Sequence, residues 1–308
     1  MKAMIPTGRA DVPVVLGAAD EPVPGADEVL VKVAAYSVNR GETFQLENPS
    51  PEPGFVPGKD VAGLVIQAAA SGRGPAVGRR VVGHPPRGGW AEYVAVPVGQ
   101  LAEIPADMCA TEAAALPLAG LTALRLLRAV GPLAGRRILL TGASGGVGHY
   151  VTELAAAAGA ELTAVSATAE RGVRLGELGA SEVVHEVAAA RGTYDVVLES
   201  TGGANLPAAL AKLSPRGLML WFGQAARTPV TLDFFDFFAG PVSATIRHFA
   251  TADHDGPDGP DLATLVRLVA EGRLHPEIGR LADWADTATV LTDLRDRKVR
   301  GHAVLTVG

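Results

Sequence analysis

The sequence predicts an α/β protein of two domains, one rich in β-strands and one built on a doubly wound parallel sheet. At roughly 150 residues per domain, the 308 residues favour two domains. Short Val-rich segments fill the first 115 or so residues without long helices between them. From residue 138 onwards, strands and helices alternate regularly, which is typical of a parallel sheet with helices on both faces.

Turn residues divide the N-terminal part into short segments that alternate or run apolar. Gly and Pro bound these segments, as expected for strands. The predicted strands are 28–35, 61–68, 79–83 and 91–96. Residues 40–60 are rich in Pro and Gly, so we expect a surface loop there rather than regular structure.

The composition becomes helical at Thr111. A helix is predicted over 111–129, opened by Thr111–Glu112 and interrupted near Pro117. The strands predicted after it are 138–141, 162–166, 182–184, 195–198, 218–222 and 303–307, and the helices are 148–158, 169–178, 204–213 and 262–271. The polar loop 252–261 is the expected return to the first domain. The predicted domains are therefore 1–116 with 258–308, and 117–257.

Composition excludes several classes of protein. The net charge of −6 and the absence of a Lys/Arg cluster argue against a nucleic-acid partner. Cys109 is the only cysteine, which excludes an intrachain disulfide and a multi-cysteine metal site and suits a reducing cytoplasm. No apolar stretch approaches about 18 residues, and the N-terminus lacks the apolar core of a signal peptide, so we expect no membrane partner.

The most specific motif is a glycine-rich turn between a buried strand and a helix, RRILLTGASGGVG at 136–148. This context predicts a dinucleotide site. Gly145 and Gly146 allow a pyrophosphate to approach the backbone, and Gly148 allows close helix–strand packing. Ala143 stands where the usual pattern has its first glycine.

The end of the next strand bears on the choice of nucleotide. A carboxylate there would bind the ribose hydroxyl of NAD, but the strand ends in Ser166. Arg171 follows five residues later, where a guanidinium suits the 2′-phosphate of NADPH. Glu170 is an alternative contact for a ribose. We expect NADPH as the cofactor.

Several further motifs lie in the same order as in a known family. They include VKVAAYSVNRGE (31–42), PGKDVAG (57–63), GGWAEYVAVP (88–97), GASGGVG (142–148), DVVLESTGG (195–203) and GHAVL (301–305). With these motifs the chain resembles the zinc-independent quinone oxidoreductase-like branch of the medium-chain dehydrogenase/reductase superfamily. The resemblance implies a Rossmann NADP-binding domain and a β-rich GroES-like catalytic domain.

The resemblance also shows where a catalytic zinc would be bound. Zinc alcohol dehydrogenases of the superfamily carry Cys and His after the early strand and His-Glu in the PGHExxG segment. Asn39, Arg40, Lys59 and Asp60 occupy these places here, so we expect no metal. Without a Lewis acid, hydride transfer requires an acceptor that is already electrophilic, such as a quinone or an α,β-unsaturated carbonyl.

The resemblance assigns roles to individual residues. It assigns Asn39 to the nicotinamide and substrate pocket. The residue types add Tyr36 and Lys59 as proton sources, so the expected catalytic residues are Asn39, Tyr36 and Lys59. Each residue also has an alternative role. Asn39 is alternatively a turn cap, and Tyr36 is either a core aromatic or a proton donor in the cleft. Lys59 and Glu42 are each either a proton source or a solvated loop charge. The expected cofactor contacts are Asn39, Thr122, Ser144, Gly145, Gly146, Val147, Ser166, Arg171, Ser200, Gly223, Gln224 and His302, the last replacing the Lys of the family's GKAVL ending.

The sequence thus predicts an NADPH-dependent, zinc-independent reductase of a small electrophilic molecule. A biosynthetic enoyl reductase with a specialised substrate and a non-catalytic NADPH-binding sensor or structural protein are the alternatives. Because family members pair their cofactor-domain sheets edge to edge, we expect a homodimer with 242–248 as the edge. The aromatic run Phe234–Phe238 lines either a substrate pocket or a subunit interface.

Overall fold

The computed structural model describes residues 1–47 and 54–308, which form two compact units. Unit 1 comprises Met1–Leu121 and Asp255–Gly308, and unit 2 comprises Thr122–His254. The predicted α/β class is confirmed. The predicted domain limits, 116/117 and 257/258, stay a prediction.

The strands and helices alternate along the chain much as the sequence predicts. The strands are β1 (Lys2–Pro6), β2 (Val14–Ala18), β3 (Glu28–Val38), β4 (Asp60–Gln67), β5 (Arg80–Gly83), β6 (Tyr93–Pro97), β7 (Leu101–Glu103), β8 (Arg137–Leu140), β9 (Glu161–Val165), β10 (Glu182–Val184), β11 (Tyr194–Glu199), β12 (Leu213–Trp221), β13 (Thr245–His248), β14 (Ile278–Asp283) and β15 (His302–Thr306). The helices are α1 (Arg40–Leu46), α2 (Ala110–Ala114), α3 (Pro117–Val130), α4 (Gly146–Ala157), α5 (Ala169–Glu177), α6 (Asn205–Leu210), α7 (Gly259–Ala270) and α8 (Thr287–Arg295).

Unit 1 is organised around the long strand β3. A seven-stranded sheet has the order β14-β15-β3-β4-β5-β7, and β6 also pairs with β3. The alternation of buried Val29, Val31 and Val33 places one face of β3 in the core, where Tyr36 stacks on the fully buried Trp90. Strands β1 and β2 form a separate antiparallel hairpin.

Unit 2 contains a six-stranded sheet in which every described pairing is parallel. Its order is β10-β9-β8-β11-β12-β13. After β8 the chain forms β9 and β10 on one side of it, and then β11, β12 and β13 on the other side. The carboxyl ends of β8 and β11 therefore flank the point where ligands bind in doubly wound sheets. The predicted edge segment forms β13 and lies at the end of this sheet.

Three sequence-based expectations need correction. Residues 40–46 form helix α1 instead of a loop, because the Asn39 backbone N–H donates to the Glu42 carboxylate and closes the first turn. The rest of the expected loop includes 48–53, outside the described residues. Helix α2 begins after Cys109 rather than at Thr111, and α3 starts a new helix at Pro117, a residue favoured at the first helical position. The short strands β1, β2, β7 and β14 were not predicted.

Among the helices in the described residues, none combines the length and apolar character required to cross a bilayer.

Candidate functional site

The glycines of the turn in unit 2 differ in how closely the neighbouring atoms pack against them. Gly142 has a φ of +64°, and a Cβ on Gly148 would lie 2.2 Å from the Ala143 carbonyl oxygen, so local packing requires both glycines. A Cβ on Gly145 would lie 3.4 Å from the Gly142 carbonyl, at ordinary contact distance. Packing therefore does not require glycine at 145, which is where the chain turns into α4.

The N-terminus of α4 presents backbone donors at this turn. Gly145 is the N-cap, and Gly146 and Val147 are the first helical residues. The Gly145 N–H donates to the Gly142 carbonyl at 3.0 Å, whereas the N–H groups of Gly146 and Val147 have no acceptor within the helix. The helix dipole is positive at this end. The turn therefore has the chemistry to bind a pyrophosphate.

Arg171 extends from α5 towards the same turn. Thr168 caps α5 by accepting from the Arg171 backbone N–H, and the Arg171 Nε donates to Ser144 Oγ at 3.2 Å. The structure thus brings Ser144 and Arg171 together beside Gly145, with a cationic group at the edge of the turn. Ser166 is buried at the end of β9, and its hydroxyl donates to the Thr168 carbonyl.

A buried carboxylate joins the ends of β8 and β11. Glu199 is fully buried and accepts from Thr141 Oγ1 at 2.9 Å and from the Thr201 and Gly202 backbone N–H groups at 2.9 Å. Ser200 Oγ donates to the Thr141 carbonyl. These bonds fix the loop that carries Ser200 at the switch point of the sheet. The sequence analysis missed Glu199; a lone acid at the end of an apolar strand was its only signal.

The other predicted cofactor residues of unit 2 lie in two places. A Cβ on Gly223 would lie 2.8 Å from the Ser200 carbonyl oxygen, so close packing with the Ser200 loop explains this glycine. Gln224 donates to the Thr228 carbonyl at 2.9 Å. Thr122 lies in α3, where its hydroxyl bonds to that of Thr251 at 2.6 Å.

Unit 1 contains a polar cluster centred on the carboxylate of Asp60, at the start of β4. Asp60 is fully buried. One of its oxygens accepts from Ser37 Oγ and from Asn39 Nδ2, both at 2.7 Å. The other lies 3.1 Å from His84 Nδ1 and accepts from the Leu118 backbone N–H at the start of α3. We call Ser37, Asn39, Asp60 and His84 the Asp60 cluster.

The two buried acids of this region differ in charge. Burial alone would raise the pKa of Asp60, but hydrogen bonds from His84, Ser37 and Asn39 outweigh it and hold the pKa below its usual value. Burial, reinforced by the negative charge of Asp60, raises the pKa of Glu42 to about 8. At neutral pH, Asp60 is therefore ionised and Glu42 is protonated.

Tyr36 and Lys59 occupy different environments. Tyr36 is fully buried in the core, with its hydroxyl 2.6 Å from Thr287 Oγ1. Burial raises the pKa of its phenol. Of the two alternatives for Tyr36, this geometry favours the core aromatic. Lys59 is half-buried; its backbone N–H donates to Glu42 Oε1 at 3.1 Å.

His302 lies near the strand end that carries Asn39. Ala303 pairs with Val38, which places His302 and Asn39 at the same end of the β3–β15 pair. His302 is buried, with its Nδ1 3.2 Å from the Glu277 carbonyl oxygen. The predicted cofactor residues are thus divided between the units: Asn39 and His302 belong to unit 1 and the others to unit 2.

The aromatic run of unit 2 forms an exposed patch. Phe234, Phe235 and Phe238 expose 65–74% of their surface, and their ring centroids lie 5.3–6.1 Å apart. The patch precedes the edge strand β13 in the chain. We call these three residues the Phe patch.

Known proteins match the chain over nearly its whole length. A model of the alcohol dehydrogenase GroES-like domain matches residues 25–106, and a model described as zinc-binding dehydrogenase matches 146–270. The chloroplast envelope quinone oxidoreductase homolog of Arabidopsis thaliana is 33% identical over 306 residues, covering 92% of this chain and 89% of the relative. The quinone oxidoreductase of Pseudomonas aeruginosa is 29% identical over 299 residues, covering 92% of each protein. The solved structure of a mycobacterial protein in complex with NADPH superposes with a TM-score of 0.89 at 27% identity, covering 99% of this chain and 100% of that chain.

Proposed function

Since the chain belongs to the quinone oxidoreductase-like branch of the medium-chain dehydrogenase/reductase superfamily, we propose that it is an NADPH-dependent reductase of a quinone or an α,β-unsaturated carbonyl. The observation that carries the proposal is the turn at Gly145, which combines the N-terminus of α4 with an Arg171 side chain bonded to Ser144. Backbone donors suit the pyrophosphate, and Arg171 with Ser144 suits the 2′-phosphate of NADPH. The mycobacterial structure that this chain resembles is itself an NADPH complex.

The residues at the superfamily's zinc-binding places do not fit a zinc ion. Asn39 offers an amide and Lys59 an ammonium, which has no lone pair for a metal. Both oxygens of the remaining carboxylate, Asp60, already accept hydrogen bonds from side-chain or backbone donors. The proposed acceptor is therefore a molecule that accepts hydride without a metal ion.

Bound NADPH supplies the hydride, and the chain's own residues position the reactants. Asp60 holds one N–H of the Asn39 amide, so the direction of the remaining N–H and of the amide oxygen is fixed. A donor fixed in this way stabilises the negative charge that develops on the substrate oxygen as hydride arrives.

Anaerobic consumption of NADPH tests this function. Purified protein is mixed with benzoquinones, naphthoquinones, small enones and enoyl thioesters, with a metal chelator present throughout. We expect turnover with one of these classes and a preference for NADPH over NADH. Turnover of enoyl thioesters alone would favour the biosynthetic enoyl reductase. Tight binding of NADPH without turnover of any acceptor would contradict the reductase and favour the sensor or structural protein.

We further propose a homodimer formed through β13 and the Phe patch, located in the cytoplasm. Strand β13 lies at the edge of its sheet, and the exposed rings form the kind of apolar patch that marks an interaction site. Sedimentation velocity tests the dimer. The double variant Phe234→Asp/Phe235→Asp should sediment as a monomer, whereas the control Val23→Asp, at an exposed residue of unit 1, should not change the dimer. A wild-type monomer at micromolar concentration would contradict this proposal.

A further inference from the structure

The Asp60 cluster contains a histidine, His84, that has no role in the function proposed above. His84 follows directly after β5, and its backbone N–H donates to the Gln100 carbonyl at 2.8 Å. Its side chain is 14% exposed, and Nδ1 lies 3.1 Å from the fully buried carboxylate of Asp60. A partly exposed imidazole on a buried carboxylate is an arrangement that serves acid–base chemistry.

The surroundings determine which nitrogen of His84 carries a proton. Ionised Asp60 has only acceptors, so His84 Nδ1 must be the donor of their hydrogen bond. Nε2 is then on the opposite side of the ring. A proton bound at Nε2 is therefore the one that can be transferred to a substrate.

The groups packed around Asp60 and His84 come from several elements. Asp60 on β4 is the anion in direct contact, and Glu42 on α1 is neutral at pH 7 because of its raised pKa. The positive charge of Lys59 acts on Glu42 and lowers its pKa, against the larger effect of burial. From the α3 side, the Leu118 N–H is bound to Asp60, and from the β7 side the neutral Gln100 contacts the His84 backbone.

The alternative proton donors are less suitable. The Tyr36 hydroxyl is buried against Thr287, and both oxygens of the buried Glu42 accept backbone N–H groups. Lys59 is half-buried, but no described hydrogen bond orients its ammonium group. Asn39 and His84 are instead held by opposite oxygens of a single carboxylate.

We propose that His84 is the residue that protonates the reduced substrate, with Asp60 as its positioning residue. The inference rests on the proposed reductase function. Hydride from NADPH adds to the β-carbon of an enone, or to a quinone, and the displaced π electrons form an enolate or a hydroquinone anion. His84 Nε2–H then gives its proton to the α-carbon or the oxygen, the N–H bond breaks, and the neutral imidazole regains a proton from water. NADPH is oxidised to NADP⁺, and the acceptor is reduced by two electrons.

The test compares His84→Asn with wild type over pH 5–9, using an acceptor identified in the panel above. The Asn side chain keeps an N–H donor to Asp60 and lacks the Nε2 proton. We expect wild-type kcat to fall on the alkaline side, as it does for an enzyme that depends on a general acid. His84→Asn should lose this limb and at least about tenfold in kcat, within the range of general acid catalysis. His275→Asn, at an exposed histidine, is the matched control and should behave as wild type.

Two further measurements test the inference: the configuration of the product separates proton donation from a structural role, and NMR tests the hydrogen bond to Asp60. With an α-methyl enone, wild type should give one configuration at the α-carbon, and His84→Asn should give both. Nitrogen NMR of histidine-labelled wild type should show His84 protonated at Nδ1, which requires no variant to fold.

An unchanged pH profile in His84→Asn, or a His84 ring without a proton on Nδ1, would overturn the inference and leave the proposed reductase intact. Loss of stereochemical control in Lys59→Gln but not in His84→Asn would assign the proton to Lys59 and also overturn it. A wild-type protein that reduces no acceptor would overturn the proposed function itself.

Discussion

Replacing Glu42 with Gln should change how the stability of unit 1 depends on pH. Glu42 is 3% exposed, and its pKa of about 8 in the folded protein compares with an ordinary value of 4.5. Between these two pH values the folded state binds more protons at this residue than the unfolded state. The free energy of unfolding must therefore fall as pH rises from about 5 to 8.

The magnitude follows from the two pKa values. One pH unit of difference is worth about 1.4 kcal/mol, so the interval from 4.5 to about 8 corresponds to about 5 kcal/mol as an upper bound. In the middle of the interval, the wild-type free energy of unfolding should fall by about 1 kcal/mol per pH unit from this residue alone. Glu42→Gln removes this slope. It also leaves one of the Asn39 and Lys59 backbone N–H groups without its acceptor, which costs about 1–3 kcal/mol at every pH.

The assay is urea unfolding between pH 5.5 and 7.5, followed by tryptophan fluorescence in a Trp221→Phe background. Trp90 and Trp284, the remaining two tryptophans, both belong to unit 1. The control is Glu112→Gln, because Glu112 occupies the same third helical position in α2 but is half-buried rather than fully buried. Glu112→Gln should keep the wild-type slope. Parallel stability–pH lines for wild type and Glu42→Gln would refute the assignment of a protonated, buried Glu42.

Three further predictions concern the cofactor and the metal. Arg171→Ala should raise the KM for NADPH at least about tenfold and leave the KM for NADH nearly unchanged, because a charge-assisted phosphate contact is worth about 1.5–3 kcal/mol. The control is Arg174→Ala on the same helix. Equal effects of Arg171→Ala on both cofactors would contradict the phosphate contact. Gly145→Val should keep the wild-type melting temperature but bind NADPH at least about tenfold more weakly by calorimetry. Gly148→Ala should instead lower the melting temperature, since its Cβ would lie 2.2 Å from a carbonyl oxygen. Unchanged affinity in Gly145→Val would argue against the turn as the pyrophosphate site. Dialysis against a chelator should leave kcat unchanged. Loss of activity that zinc restores would show that the chain uses a catalytic metal ion.

The sequence predicted those elements that depend on local pattern. The alternation in unit 2 was predictable from β8, β9 and β11, which are short and largely apolar, and from α4 and α5, which begin at a glycine and at a capping threonine. Both signals are local. Helix α1 was missed because it is short and precedes a proline-rich stretch. Its start depends on one contact, from the Asn39 N–H to Glu42, rather than on an apolar period.

The polar clusters depend on contacts that are distant in sequence. His84 meets Asp60 across neighbouring strands, 24 residues apart, and Thr141 meets Glu199 across 58 residues. Neither pair has a spacing that a motif would reveal. Resemblance to a family pointed to Asn39 and Lys59, but the pairing of β4 with β5 is what brings a histidine to Asp60. The glycine turn was predictable because strand, turn and helix are contiguous in the chain.

The most direct test of the central claim follows the hydride itself. NADPH deuterated at C4 is mixed anaerobically with enzyme and an enone from the panel, and the product is analysed by mass spectrometry and NMR. A reductase of the proposed kind gives a saturated product with one deuterium at the β-carbon and one equivalent of NADP⁺. A saturated product without deuterium from either C4 face, or no reduced product from any enone or quinone while NADPH binds, would contradict hydride transfer by this chain.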